Sequence, residues 1–392
     1  MNSFSLLRQP RVFFRPGTIK SLPSLIHEFG RNVLLVTGTA TLQRSESFAS
    51  FHDRMQAESL CCHHYAIKGE PSPELVDRAV EEYGCAGIQV VVAVGGGSAL
   101  DAGKAISAML VKKEPVGHFI EGQPEYREHD GSKVPFIAVP TTSGTGSEAT
   151  NNAVISKVGN SGYKRSLRHH AFVPEVAVID PILMLSLPFG LTAASGMDAL
   201  TQLLEALVSP YGSPYTDAVA LSGIELFSQT FIRACHNGAA DIDARSGMAY
   251  AALMSGIALA NAGLGIVHGF ASSAGGYVAV PHGQLCATLL YPATRENISQ
   301  LRGNVDRSAY FLAKYAKAGR LLSEDSSLND DEGCCALLEK LESWQRELQF
   351  PRLGDFGIVE KDVDFIVSKT RSKSNPVELS VESMKKILKE RL

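Results

Sequence analysis

The sequence lacks long apolar runs, clusters of positive charge and paired cysteine motifs, and each absence excludes a class of protein. No apolar stretch approaches the length of about 18 residues that a membrane-spanning helix needs, and residues 1–10 lack the apolar core of a signal peptide. Thirty-seven Lys and Arg residues stand against 41 Asp and Glu residues, a net charge of −4, with no basic block that would bind a phosphate backbone. We therefore expect a cytoplasmic protein with neither a membrane nor a nucleic-acid partner.

The cysteine content and the overall composition indicate a reduced, well-packed protein. The seven cysteines are an odd number and form no CxxC pair, so we expect free thiols. Apolar residues make up 45% of the 392-residue chain and charged residues 20%, which allows a sizeable core and excludes global disorder. At about 150 residues per domain, this length predicts two or three globular units.

The first half of the chain reads as strands that alternate with helices. Apolar runs at residues 33–37, 88–94 and 134–139 show little polar alternation, which is typical of a parallel sheet covered on both faces. In the second half, the segments become rich in Ala and Leu and long enough for helices. The sequence thus predicts an α/β domain over residues 1–186 and an all-α domain over residues 187–392.

A glycine turn follows the strand that is predicted at residues 88–94. Gly95, Gly96 and Gly97 come directly after the strand, and Ser98 is expected to cap the helix that begins there. A strand, a glycine turn and a helix N-terminus form an anion site, because the backbone comes close to a phosphate and free N–H groups point at it. A plain tight turn is the alternative. Neither the P-loop spacing nor the GxGxxG spacing is met.

A second polar loop ends a later predicted strand. Residues 140–148 read Pro-Thr-Thr-Ser-Gly-Thr-Gly-Ser-Glu and are expected at the same edge of the sheet as the glycine turn. Their hydroxyl groups and glycines suit a ribose, a diphosphate or a carboxamide, and a simple turn rich in Ser and Thr is the alternative. The loop contains no GxSxG elbow, which argues against a serine hydrolase.

Four polar residues in the helical half form a candidate metal site. Asp198 and Gln202 are four positions apart, so both lie on one face of a helix that we expect to begin near Ser195. His268 and His282 each lie in an apolar, glycine-rich segment. One carboxylate, one amide oxygen and two imidazoles suit Zn²⁺ or Fe²⁺ and leave a position for substrate. A pair of hydrogen-bonded core histidines with a helix-capping Asp is the alternative.

Taken together, these motifs resemble the iron-containing (group III) alcohol dehydrogenase family. The resemblance runs from Phe13 to about Pro292 and includes the glycine turn, residues 140–148, Gly-Met-Asp-Ala-Leu around Asp198, and the two histidine segments. It implies a nucleotide-binding α/β domain, a helical C-terminal domain, and a cleft that holds NAD(P) and a divalent metal. The implied reaction is reversible hydride transfer between a small alcohol and an aldehyde or ketone, in a homodimer or larger assembly. Dehydroquinate synthases share this architecture, but the basic residues that a phosphorylated sugar needs are not found near Asp198.

The resemblance also implies roles for individual residues. The implied metal ligands are Asp198, Gln202, His268 and His282, and the catalytic residues among them are Asp198, His268 and His282. The implied cofactor contacts are Gly38, Gly95, Gly96, Gly97, Ser98, Asp101, Thr141, Thr142, Thr145 and Lys164. At the end of the strand predicted at residues 33–37, the family often has an Asp that would repel a 2′-phosphate. Gly38 stands there instead, which favours NADP and keeps NAD as the alternative.

Three positions depart from the family pattern. Gln202 stands where the family usually has His, and an amide oxygen is a poorer ligand than imidazole for Zn²⁺ or Fe²⁺, so metal occupancy is an open question. Ser272 and Cys286 stand where a second His and an Asn are common. These changes predict a substrate other than a simple primary alcohol. Two alternatives stay open, a metal-independent reductase like the maleylacetate reductases and a nucleotide-binding protein that has lost catalysis.

Overall fold

The computed structural model describes residues 3–39, 54–55, 57–303, 308–372 and 374–392. Its strands are β1 (Arg11–Phe14), β2 (Asn32–Gly38), β3 (Cys61–Ile67), β4 (Val90–Gly95), β5 (Phe136–Pro140), β6 (Asn152–Lys157), β7 (Tyr163–Arg168) and β8 (Val176–Ile179). Six of these form a parallel sheet in the order β1-β8-β5-β4-β2-β3, and β6 and β7 form an antiparallel pair.

The described helices are α1 (Leu22–His27), α2 (Pro73–Tyr83), α3 (Gly97–Met109), α4 (Phe189–Leu207), α5 (Pro214–Asn237), α6 (Ile242–Ala262), α7 (Ile266–Tyr277), α8 (His282–Arg302), α9 (Ser308–Ser323), α10 (Asp330–Glu347), α11 (Glu360–Lys369) and α12 (Val381–Lys389). Helices α4 to α12 form the C-terminal domain, in which α4 packs against α5, α6 and α8. The predicted fold class, an α/β domain followed by an all-α domain, is confirmed.

The parallel sheet is covered on both faces, as its uninterrupted apolar strands require. Leu34 and Val91 belong to the apolar core on one face, and Val33 and Val90 belong to the core on the other. Alternate residues of a strand point to opposite faces, so a strand without polar positions can only be buried on both. Because the six strands are parallel, their carboxyl ends all lie at one edge of the sheet, where the two predicted loops follow β4 and β5.

Two sequence-based expectations about the helices are wrong. Helix α4 begins at Phe189, six residues before Ser195, with Pro188 as its N-cap residue. Proline fixes φ before the helix and lacks an N–H, so the start after Pro188 leaves no ladder hydrogen bond unmade. The several Lys and Arg residues from Lys361 to Leu392 predict a solvated helix, but α11 and α12 each bury an apolar face, which in α12 includes Ile387 and Leu388.

None of the described helices is by itself long and apolar enough to cross a membrane. The consecutive helices α6 and α7 meet that length and composition requirement only together, and the chain bends by 95° between them.

Candidate active site

The glycine turn lies at the carboxyl end of β4 and leads directly into α3. The helix begins at Gly97 with Gly96 as its N-cap, and the Gly96 carbonyl accepts a hydrogen bond from the Ala99 N–H at 2.9 Å. Ser98 therefore lies inside the first turn, which corrects the predicted cap. No side chain caps this helix, so its first N–H groups are oriented toward any anion at the sheet edge.

The loop of residues 140–148 packs directly on the glycine turn. A Cβ atom placed on Gly96 would lie 3.2 Å from the Thr142 Cγ2 atom, and one placed on Gly97 would lie 2.4 Å from the Thr145 Cγ2 atom. Only glycine allows the two segments to approach so closely. The structure thus brings together the residues that were predicted from two separate motifs.

Backbone contacts hold both ends of this loop. The Thr141 N–H donates to the Gly95 carbonyl at 2.9 Å, which continues the β4–β5 register into the loop. Gly146 has a φ of +61°, and a Cβ atom on it would lie 2.4 Å from the Gly256 Cα atom of α6. The same loop therefore contacts the glycine turn and the helical domain.

A buried ionic network anchored on α3 holds the C-terminal end of the loop of residues 140–148. Lys104, which is fully buried in α3, donates to the Ser147 carbonyl and to the Thr150 hydroxyl, both at 2.8 Å. Burial lowers the pKa of Lys104 to about 8, although the Asp101 carboxylate opposes that shift. Asp101 accepts from the Ser147 hydroxyl at 2.5 Å and from the Val154 N–H at 3.0 Å, so both of its carboxylate oxygens bond within the protein. A direct contact between Asp101 and the cofactor stays a prediction.

Gly38 and Lys164 occupy different parts of the N-terminal domain. Gly38 ends β2 and pairs in register with Ile67 of β3. Lys164, in β7, forms an ion pair with Glu70 through its Nζ atom. A Cβ atom on Gly275 of α7 would lie 3.4 Å from the Lys164 Cδ atom, so this pair lies beside the helical domain. Sequence reasoning missed Glu70, because a single acid in a Gly-Glu-Pro turn carries no motif.

Three predicted metal ligands meet in the helical domain. The Asp198 Oδ1 atom of α4 lies 3.4 Å from the His268 Nε2 atom of α7 and 3.5 Å from the His282 Nε2 atom of α8. The Cys286 Sγ atom completes a group of four ligand atoms that all lie within 4.8 Å of one another. The Asp198 side chain is buried, and its Oδ1 atom has no hydrogen-bond partner.

Glu205 orients one of the two imidazoles. Its Oε2 atom lies 2.7 Å from the His268 Nδ1 atom, and its Oε1 atom accepts from the Val267 N–H at 2.7 Å. A carboxylate on Nδ1 keeps a proton on that nitrogen, so Nε2, which faces Asp198, is the nitrogen that would bind a cation. Sequence reasoning missed this residue, although its position seven residues after Asp198 places both acids on one face of α4.

The three departures from the family pattern lie close to this cluster. The Gln202 Oε1 atom accepts a hydrogen bond from the Ser255 hydroxyl at 2.7 Å, and Gln202 as a metal ligand stays a prediction. The Ser272 hydroxyl donates to the His268 carbonyl at 2.8 Å. Cys286 belongs to the cluster itself.

The pKa values of the ionisable groups in the cluster are shifted in opposite directions. Burial alone would raise the pKa of Asp198, but His282 and His268 outweigh it and lower that pKa to about 2. Burial lowers the pKa of His282 to about 4, against the attraction of Asp198. Burial also lowers the pKa of His268, but Cys286 and Glu205 reverse that effect and the pKa lies well above its ordinary value. At neutral pH the Asp198 carboxylate is ionised and His282 is neutral, which are the forms that bind a cation, whereas His268 carries a second proton that a bound cation would displace from Nε2.

The residues of the cluster fit a divalent cation. A buried carboxylate oxygen without a donor is costly, and a cation at this point would neutralise it. The other ligand atoms are nitrogen and sulfur, which are ligands for first-row transition metals. The geometry is therefore that of a candidate cation site in the helical domain.

Comparison with known proteins gives the family. Residues 9–181 match the family model of iron-containing alcohol dehydrogenases, and residues 192–392 match the model of the C-terminal region of Fe-containing alcohol dehydrogenases. The chain belongs to the iron-containing alcohol dehydrogenase family. It is an oxidoreductase that acts on CH–OH groups, as the resemblance implied.

Individual relatives cover most or all of the chain. The 1-propanol dehydrogenase PduQ of Salmonella typhimurium is 30% identical over 402 aligned positions that cover all of both chains. The NAD-dependent methanol dehydrogenase of Bacillus methanolicus is 31% identical over 329 positions, 82% of each chain. The solved structure of an archaeal halo-thermophilic alcohol dehydrogenase from a Red Sea brine pool has a TM-score of 0.89 at 26% identity, covering 100% of this chain and 99% of the other.

Proposed function

We propose that this protein is an NAD(P)-dependent and divalent-metal-dependent alcohol dehydrogenase that also reduces aldehydes or ketones. The observation that carries the proposal is the unpartnered, buried Asp198 Oδ1 atom, which lies 3.4 and 3.5 Å from the Nε2 atoms of His268 and His282. A plain core pair of histidines would leave no carboxylate oxygen without a donor. The contact of the glycine turn with the Thr loop supports a dinucleotide at the neighbouring sheet edge.

The chain's own residues position the reactants. Asp198, His268 and His282 would hold the cation, Fe²⁺ or Zn²⁺, while Glu205 fixes the ring of His268. The first N–H groups of α3 and the loop of residues 140–148 would bind the dinucleotide diphosphate. When bound, the cation supplies a Lewis acid at the substrate oxygen, and the nicotinamide gives or takes the hydride. Ser272 lacks a ring nitrogen, so the alcohol proton would leave through water or a hydroxyl group.

We propose NADP as the preferred dinucleotide. Gly38 ends β2 without a carboxylate that would repel the 2′-phosphate. The dependence of the Bacillus methanolicus relative on NAD supports NAD as the alternative. The proposed substrate is a small alcohol, with its aldehyde or ketone as the product.

Asp198→Asn tests the metal-dependent function because it keeps the volume of the side chain and removes its charge. We expect loss of stoichiometric metal and of NAD(P)H oxidation with a panel of short aldehydes and ketones, because the variant loses the ionised carboxylate of the ligand set. The affinity for NADPH, measured by fluorescence titration, should not change. Asp331→Asn, at an exposed position of α10, is the matched control and should keep both metal and activity.

Each result decides between the proposals. Full turnover by the Asp198→Asn variant with no metal bound would replace the metal-dependent mechanism with that of a metal-independent reductase. A wild-type protein that binds NADPH but oxidises it with no carbonyl compound would support a binding protein that has lost catalysis.

A further inference from the structure

Cys286 lies in the metal cluster because of its place on α8. It follows His282 by four residues, so both side chains lie on one face of that helix. The residue is fully buried, and its Sγ atom lies 3.8 Å from the Nε2 atoms of both His268 and His282. The Sγ atom therefore faces the same position, between the two imidazoles, as the Oδ1 atom of Asp198, which has no hydrogen-bond partner.

The distances match those of a tetrahedral zinc site. With metal bonds of about 2.0–2.1 Å to nitrogen or oxygen and about 2.3 Å to sulfur, neighbouring ligand atoms lie about 3.3 Å apart for a nitrogen–oxygen pair and about 3.6 Å apart for a nitrogen–sulfur pair. The two oxygen–nitrogen distances here are 3.4 and 3.5 Å, and both sulfur–nitrogen distances are 3.8 Å. Four of the six distances among these atoms are therefore close to the tetrahedral values, and the other two are no longer than 4.8 Å.

Gln202 is a weaker candidate for the fourth position. Its Oε1 atom already accepts the Ser255 hydroxyl at 2.7 Å. An amide oxygen is also a hard, neutral ligand, whereas a thiolate is soft and adds negative charge opposite a divalent cation.

We propose that Cys286 is the fourth protein ligand of the metal, together with Asp198, His268 and His282, and that this set makes the site selective for zinc. This inference rests on the proposed function and specifies its metal. On binding, the thiol proton of Cys286 passes to solvent and the sulfur lone pair binds the cation, since a coordinating thiol is deprotonated. Zinc can expand to five ligands, so four protein ligands still leave a place for substrate.

Cobalt substitution tests the proposal without an activity assay. The full-length protein is stripped with a chelator, loaded with one equivalent of Co²⁺ and examined by absorption spectroscopy. A thiolate ligand gives a sulfur-to-cobalt charge-transfer band in the near ultraviolet, in addition to the visible bands that report tetrahedral geometry. We expect this band in the wild type and in Cys235→Ala, which removes another buried cysteine, and not in Cys286→Ala.

Metal competition gives a second measurement. Zinc affinity should fall about 10-fold or more in Cys286→Ala, at least as much as removal of an outer-shell partner costs. Manganese affinity, which depends little on sulfur, should change far less. Circular dichroism that matches the wild type confirms that the variant is folded.

The outcomes separate this inference from the proposed function. One equivalent of tightly bound cobalt without a charge-transfer band, or a band that survives in Cys286→Ala, would overturn the role of Cys286 and leave the dehydrogenase proposal intact. An equal loss of zinc and manganese affinity in Cys286→Ala would likewise contradict a thiolate ligand. A wild type that binds no metal would contradict both proposals.

Discussion

Alanine at position 97 is expected to separate the glycine turn from the Thr loop. Gly97 is the first residue of α3, and a Cβ atom there would lie 2.4 Å from the Cγ2, 2.7 Å from the Oγ1 and 3.1 Å from the Cβ atom of Thr145. Threonine is branched at Cβ, so rotation about χ1 moves one γ atom away only by bringing another into its place. The loop has to shift as a unit.

The size of the effect follows from two opposing terms. Overpacking of a well-packed site costs about 1–3 kcal/mol, whereas Ala is up to about 1 kcal/mol more favourable than Gly in a helix. Because the 2.4 Å approach is far inside van der Waals contact, the overpacking cost lies in the upper part of that range, about 2–3 kcal/mol, and the net loss for Gly97→Ala is about 1–2 kcal/mol. For a domain of this size, that loss lowers the melting temperature by about 2–8 °C. The affinity for NADPH should also fall, because the first N–H groups of α3 move when the glycine turn moves.

Differential scanning calorimetry and NADPH fluorescence titration measure these two effects. Gly190→Ala is the matched control, since Gly190 is the second residue of α4 and a Cβ atom on it would meet nothing within 4 Å. The double variant Gly97→Ala/Thr145→Ala removes both clashing γ atoms and should recover stability, with a coupling energy of about 0.5–3 kcal/mol. A single variant that melts with the wild type, or a double variant that recovers nothing, would refute the steric argument.

Three further predictions follow from other parts of the site. Glu205→Gln weakens the hold on the His268 ring, so metal affinity in chelator competition should fall about 10–100-fold, and an unchanged affinity would exclude this role. Burial raises the pKa of Glu148 from 4.5 to about 7, because the folded protein favours the protonated carboxyl group. The contribution of this group to the free energy of unfolding is therefore fully present below pH 4.5 and is lost as the pH rises through 7. Glu148→Gln should therefore raise the melting temperature at pH 8 but not at pH 4, and equal shifts at both would contradict the burial effect. Gly38→Asp should lower the ratio of kcat/KM for NADPH to that for NADH, and a constant ratio would show that the end of β2 lies away from the ribose.

The sheet could be predicted from the sequence because its signal is local. The wholly apolar run Val176–Ile179 coincides with β8, since every residue of a doubly buried strand is apolar. The first residues of helices were harder to predict from the sequence. Ser98 has the better capping side chain, yet Gly96 is the N-cap and the helix begins at Gly97, where a Cβ atom would lie 2.4 Å from the Thr145 Cγ2 atom. Tertiary packing overrode the capping preference.

The metal cluster was only partly predictable, because it is assembled from three helices. Asp198, His268 and His282 carry motifs that identify them in the sequence. Glu205 and Cys286 carry none, and their roles follow from the packing of α7 and α8 on α4, which brings atoms 63 and 18 residues apart to within 2.7 and 3.8 Å of His268. A residue that differs from the family pattern is therefore interpretable only with its neighbours in space.

The loop of residues 140–148 connects the cofactor side of the site with the metal side. On one side Thr145 packs on Gly97, and on the other a Cβ atom on Gly144 would lie 2.9 Å from the Ser195 Cβ atom of α4, the helix that carries Asp198. These contacts lie at or next to the backbone, where rotamer changes cannot absorb a displacement. Hydride transfer requires the donor and acceptor carbons to be held in a narrow range of positions. Because one short loop fixes the glycine turn against α4, we expect a change in its backbone to alter both the affinity for the proposed cofactor and the position of the proposed metal ligand Asp198.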